Sequence, residues 1–183
     1  MLKNRCIATH MSFAALLVLA ACTKTLEGGA SSKSGRSAMA AIEPLGPKPV
    51  RGTFTARETR TGAVTIDVKV EGLSAGKHGT HIHTGASCGD AGKAAGPHWD
   101  PHNTGKHGDP AISSTTHHAA DMPNIEVDAS GKGSMHFRTT NFKFNDLIGK
   151  TIVVHENPDN YTDSPVNGGS GGRIGCGVIQ AAK

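Results

Sequence analysis

The histidines of this chain are spaced for metal chemistry. His81 and His83 stand two apart, His98, His107 and His118 follow with Asp121, and His155 comes alone downstream. In an extended strand, residues two apart point to the same face. A strand over residues 79–83 would therefore project His81 and His83 together at one ion. Imidazole suits copper and zinc, whereas calcium and magnesium favour oxygen ligands. His98, His107, His118 and Asp121 make the four ligands of a closed site. His81, His83 and His155 make three, which leaves a coordination position approachable. One loop imidazole serving both ions through its two nitrogens would fuse the sites.

The elements that must position these ligands read as β-strands. Val64, Ile66, Val68 and Val70 alternate with Thr65, Asp67 and Lys69, the period-2 pattern of a half-buried strand. Strands are expected over residues 39–43, 50–57, 63–70, 79–83, 125–128, 134–140, 151–156 and 174–180. Eight short strands with Gly-rich turns predict an all-β, antiparallel sandwich or barrel. Two stretches break the rhythm, residues 87–124 and 157–173, both polar and rich in Gly, Pro, Asn and Asp. Unstructured loops beyond about 12–15 residues are uncommon in compact domains unless functional or disordered. Metal ligation would account for the order of the first, and the second is expected to wall the same site.

Residues 1–21 carry Lys3 and Arg5 ahead of an apolar run that ends in small residues. That is the form of a secretory leader, too short and too lightly flanked for a convincing membrane span. Leu19-Ala20-Ala21-Cys22 resembles a bacterial lipobox, with Cys22 lipidated as the first mature residue; the alternative is an ordinary leader containing a cysteine. Residues 22–37 then read as the lipidated cysteine and a flexible tether, and residues 38–183 as one domain. Cleavage would lower the formal charge from +4 to +2, too little and too scattered to suggest nucleic acid. Of four cysteines, Cys88 and Cys176 fall to the domain. An exported chain favours a disulfide between them, with free thiol ligands as the competitor.

The chain resembles the copper/zinc superoxide dismutases of the bacterial, exported lipoprotein kind. The resemblance rests on Gly79-Thr80-His81-Ile82-His83, Gly96-Pro97-His98-Trp99-Asp100-Pro101, Lys106-His107-Gly108, His118-Ala119-Ala120-Asp121, Val153-Val154-His155-Glu156 and Gly172-Arg173-Ile174-Gly175-Cys176-Gly177-Val178. These occur in the family's order and cover nearly all of the chain after residue 38. The resemblance implies an eight-stranded Greek-key barrel with long metal-binding and electrostatic loops, and one copper and one zinc ion per chain. Copper would be held by His81, His83, His98 and His155. Zinc would be held by His98, His107, His118 and Asp121, with His118 preferred over its neighbour His117 because the family histidine stands three residues before the aspartate.

The implied reaction converts superoxide to dioxygen and hydrogen peroxide by alternating copper reduction and oxidation, with zinc holding the bridging His98. Arg173 would guide the anion, and Asp159 would link the outer nitrogens of a copper and a zinc histidine. Family members pair cysteines at the positions of Cys88 and Cys176. The competing reading is a noncatalytic envelope protein that buffers copper and zinc; retention of every copper-ligand position and of Arg173 favours catalysis. The expected location is the cell envelope, lipid-anchored through Cys22, on the periplasmic side of the outer membrane if the source has two membranes. Superoxide is the expected partner, no nucleic acid is, and both a monomer and a homodimer stay open.

Overall fold

A computed structural model describes residues 35–112 and 115–182. The leader, Cys22 and the tether up to residue 34 lie outside the described residues. Arg36 and Ser37, which composition assigns to the tether, already belong to the domain. Arg36 pairs with Glu58 at 2.8 Å and lies over the Phe144 ring, and Ser37 opens the first strand.

The strands are β1 (Ser37–Pro44), β2 (Arg51–Glu58), β3 (Val64–Glu71), β4 (Gly76–His78), β5 (Thr80–His83), β6 (Ile125–Val127), β7 (Lys132–Thr139), β8 (Thr151–His155), β9 (Arg173–Val178) and β10 (Gln180–Ala181). They form one antiparallel sheet in the order β4-β6-β7-β3-β2-β1-β9-β8-β5, with β10 on β1. Only Gly79 separates β4 from β5, so both ends of that order belong to one kinked segment and the sheet curls into a nearly closed barrel. β9 and β10 are likewise one interrupted strand. Counted so, the barrel has the eight strands expected from periodicity. The connections β3–β4 and β7–β8 join strands that are not neighbours, the Greek-key arrangement. Among the described residues, no helix is long and apolar enough to cross a membrane.

Alternation explains what holds the barrel together. The inward residues Val64, Ile66, Val68 and Val70 of β3 are all buried. Register sets Phe54 of β2 between Val68 and Ala40 of β1, and Phe54 is fully buried. Truncating such a side chain to alanine costs about 3–5 kcal/mol. β5 and β8 depart from the alternation because every residue of each is buried. Ile82 and Ile152 are paired and belong to the core, whereas His81 and His83 leave on the other face of β5. That outer face is roofed by the two long loops. The paired histidines are therefore mounted on the outside of the barrel wall.

The outer wall is tied down by the disulfide. Cys88 and Cys176 are bonded, with Cα atoms 5.8 Å apart and a separation of 88 positions in sequence. Cys176 lies opposite Val153, which lies opposite His81. A small apolar cluster of Ala95, Val153, Cys176, Leu45 and Cys88 fills the space beneath the loop. Closing so long a loop stabilises the fold by roughly 4–5 kcal/mol in the chain-entropy picture. Cys88→Ser is expected to lower stability by at most that amount in a denaturant titration. Its activity under native conditions should fall further than the unfolded fraction explains, because the same loop carries the carbonyls that hold Arg173. Full specific activity with both metals bound would reduce the bridge to a stability device.

Candidate metal centre

The loop after β5 doubles back against that strand. Thr84 N–H donates to the Pro97 carbonyl (3.0 Å), Trp99 N–H to Ile82 (2.9 Å) and Ile82 N–H to Ala120 (3.3 Å). These bonds make two isolated bridges, His83 opposite His98 and His81 opposite Asp121. A loop of about forty residues is thus pinned at the points where its ligands must sit. Trp99 is buried against Phe142, with ring centroids 5.1 Å apart, and Lys150 lies over its ring at 4.6 Å. This packing fixes the residue next to His98.

Two four-residue groups have one ligand atom each within 4.8 Å of the others: His81, His83, His98 and His155, and His81, His98, His107 and Asp121. His118 stands just beyond the second group. Its Nδ1 lies 3.5 Å from Asp121 Oδ1, the same oxygen that His107 Nδ1 approaches at 2.9 Å and His98 Nδ1 at 3.3 Å. Three imidazoles therefore converge on one carboxylate oxygen. The other oxygen, Oδ2, accepts from Gly108 N–H at 3.0 Å.

Four of the clustered rings have one nitrogen anchored to a group outside the cluster and the other turned into it. His83 Nδ1 donates to the Gly96 carbonyl (2.8 Å) and His155 Nδ1 to Gly171 (3.3 Å). His81 Nε2 and His107 Nε2 both donate to Asp159, at 2.6 and 2.8 Å. The opposite atoms His81 Nδ1, His83 Nε2 and His155 Nε2 are buried without a hydrogen-bond partner, and His107 Nδ1 and His118 Nδ1 are turned to the Asp121 carboxylate. Three orphaned imidazole nitrogens would be costly unless something else satisfied them. A set of buried nitrogens with one carboxylate fits copper and zinc, so the residues present suit both ions.

Electrostatics separates the two sides. Burial holds His83 down to about 2 and His155 down to about 4, and also pushes His81 and His98 down, with neighbouring imidazoles adding to the shift for His83, His155 and His81. His107 behaves oppositely. Burial opposes its charge, but hydrogen bonds to Asp121 and Asp159 outweigh that and raise it to about 9. Burial likewise opposes ionisation of Asp121, and its histidine partners overcome this and hold it well below the usual carboxylate range.

Arg173 reaches the site through a register shift. Val154 pairs with Gly175 but His155 pairs with Arg173, so a bulge between them sets the arginine beside a ligand. Its guanidinium donates to the carbonyls of Gly92 and Gly96, both at 2.6 Å. Partial burial lowers its pKa, yet a guanidinium stays charged in proteins.

The other histidines have plain roles. His117 faces the carbonyls of His118 (2.8 Å) and Ile112 (3.2 Å) with its two nitrogens, so neither is spare. His78 lies against the carbonyls of His155 and Ser74, His102 bonds Asn141, and His136 pairs with Asp67 on the surface. Two supporting residues gave no sequence signal. The carboxylate of Asp163 accepts from His107 N–H at 2.7 Å. Gly168 has a φ of 70° and packs so closely that a Cβ would fall 1.9 Å from Asp159 Oδ1 and 2.7 Å from His107 Nε2.

A Greek-key barrel bearing a histidine group and a histidine–aspartate group that have His81 and His98 in common defines a protein built for two adjacent metal ions. The sequence profile of the copper/zinc superoxide dismutases matches residues 50–179. Similar proteins include the Cu-Zn superoxide dismutase of Legionella pneumophila, 38% identical over 77% of this chain and 85% of that one. That of Pasteurella multocida is 39% identical over 76% and 78%. Among solved structures, the clock protein EA4 shares the fold, with a TM-score of 0.72 and 24% identity over 85% of this chain and all of that one. The chain belongs to the copper/zinc superoxide dismutase family.

Proposed function

We infer that this protein is a copper/zinc superoxide dismutase that disproportionates superoxide. The observation that carries the reading is the shared ring of His98, which enters both ligand groups. In this assignment His81, His83, His98 and His155 hold copper, and His98, His107, His118 and Asp121 hold zinc. His81 lies within reach of both groups. Its Nε2 is committed to Asp159, so it has one nitrogen to give, and the copper side takes it. The Nδ1 of His118, 3.5 Å from the Asp121 carboxylate, then completes the zinc side.

Copper, when bound, supplies reversible one-electron exchange, and zinc supplies a fixed positive charge. The protein's own part is positioning and proton handling. His98 keeps Nδ1 on the side of Asp121, which leaves Nε2 facing the copper group as the atom that can take up and release a proton. A ring gripped at Nδ1 cannot swing away while it does so. Asp159 joins His81 to His107 and fixes both rings. Its burial keeps water from competing for those bonds. Arg173 offers a rigid, charged fork beside His155 to a small anion. The decisive experiment is metal content and superoxide removal by the purified domain; one copper and one zinc per chain without activity would overturn the reading.

Arg173→Ala should retain both metals but slow substrate capture by roughly tenfold or more, within the range focusing fields provide. Arg173→Lys should recover part of the loss through charge without the fork geometry. Added salt should slow the wild type more than the alanine variant, since screening weakens steering. Identical salt profiles would reduce Arg173 to a structural tie to the Gly92 and Gly96 carbonyls.

Residues 1–21 act in this reading as a leader, Cys22 as a lipidated anchor with the residues before Arg36 as tether, and residues 36–183 as the enzyme domain. Small residues before Cys22 support the anchor. Thr23 follows, where Asp is the usual inner-membrane retention signal, which favours the periplasmic face of an outer membrane in a two-membrane source. Labelled lipid should enter the wild-type precursor and not Cys22→Ser. Recovery of all wild-type protein without lipid would refute the anchor.

A further inference from the structure

We propose that Asn124 and Tyr161 are positioning residues for Asp159, tying the carboxylate between the two metal sides to the barrel wall. The proposal rests on the assignment of Asp159 as the link between His81 and His107. Asn124 stands immediately before β6 and three residues after Asp121. Its side-chain amide closes a ring with the main chain of Asp159. Asp159 N–H donates to Asn124 Oδ1 at 2.8 Å, and Asn124 Nδ2 donates to the Asp159 carbonyl at 2.9 Å. A ring of two hydrogen bonds fixes both the place and the direction of the peptide it holds.

Tyr161 completes the clamp from the other side. Its hydroxyl oxygen accepts from Asn124 N–H at 2.9 Å and from Asn124 Nδ2 at 3.0 Å. Its own N–H donates to Asp159 Oδ1 at 2.7 Å. Tyr161 has a φ of 60°, a conformation that a bulky side chain adopts only when its surroundings require it. The three-residue turn 159–161 is thus bent around the carboxylate and bolted to the entrance of β6.

What the clamp controls is aim. The Asp159 carboxylate reaches His81 Nε2 at 2.6 Å and His107 Nε2 at 2.8 Å. Those rings belong to different ligand groups. A small rotation about the Asp159 main chain would lengthen one bond as it shortened the other. Preorganised sites require ligands held to a fraction of an ångström by their supporting shell. Asn124 and Tyr161 touch neither ligand group's spare nitrogens, so their effect must pass through Asp159.

The test uses the full chain loaded with copper and zinc. Zinc release to an excess of chromogenic chelator is timed, and the Cu(II) electron paramagnetic resonance spectrum is recorded. Asn124→Ala and Tyr161→Phe should each speed zinc release by about tenfold, the lower range for losing an outer partner of a metal ligand. Each should also shift the copper hyperfine pattern, which a loss of general stability would not do. Both changes should vanish when Asn124→Ala is introduced into Asp159→Asn. An undiminished effect in that background would overturn the proposal, as would wild-type release and spectrum in Asn124→Ala while Asp159→Asn alters both. Tyr161→Phe removes one oxygen and keeps the ring, so it carries the test alone if Asn124→Ala does not fold. Unaltered behaviour of Asp159→Asn would sink the assignment of Asp159 itself and the clamp with it.

Discussion

His155→Ala is expected to nearly abolish superoxide removal while zinc stays bound. His155 comes from β8 in the barrel wall, and its Nε2 is one of the buried atoms without a partner. It has no place in the group around Asp121. Losing an outer hydrogen-bond partner of a metal ligand already costs about 10–100-fold, so losing the ligand itself should exceed that. Asp121→Ala should do the opposite. Its Oδ1 is the point on which His98, His107 and His118 converge, and its Oδ2 accepts from Gly108. Removing the carboxylate should release zinc and loosen the loop, since metal binding and local order are coupled. Metal analysis after dialysis, beside a superoxide assay, separates the cases. Loss of zinc before copper from the His155 variant would show that the two sites have been assigned the wrong way round.

Acid should strip zinc well before copper. In the metal-free chain His107, raised to about 9, carries a proton at neutral pH. Zinc must displace that proton, so its affinity should fall about tenfold per pH unit below about 9 from this group alone. His83 and His155, held to about 2 and about 4, already have free lone pairs, and their proton competition begins only below about pH 4. Chelator competition across this window should show zinc affinity declining while copper affinity holds; parallel decline would refute the contrast. Stability of the metal-free domain follows with opposite signs. The depressed histidines are protonated in the unfolded chain first, so their contribution is lost as pH falls below about 6.5. The raised His107 stabilises below that value, and its contribution is lost as pH rises through about 9.

Much of this was legible in the residues. Val64 to Val70 announced their strand by alternation, and the other strands followed from similar runs between glycines. The candidate ligands stood out because six histidines and an aspartate at these spacings in one small domain have few other uses. Geometry carried by the main chain was not. The bulge that sets Arg173 opposite His155 depends on how two strands pair, which no local pattern records. The holds on Arg173 are peptide oxygens, which every residue possesses. His81 falls within reach of both ligand groups because β5 runs between them, so distance alone does not partition the ligands. Asp163 and Gly168 looked like ordinary loop residues, since their value lies in what lies opposite them across the fold.

The carbonyl of Gly96 accepts from His83 Nδ1 and from Arg173 Nη2. One oxygen thus joins the residue that would collect substrate to a ligand of the ion that would transform it. Because the oxygen belongs to the backbone, and its peptide nitrogen is that of Pro97, no codon change can delete it. Alanine scanning passes over such a connection without a trace. Natural variation can reach it only by bending the chain: the φ of 73° at Gly96, with Thr84 Oγ1 2.7 Å from where a Cβ would sit, leaves little room even for that. Heredity can therefore alter the two partners, His83 and Arg173, far more readily than the hinge they share.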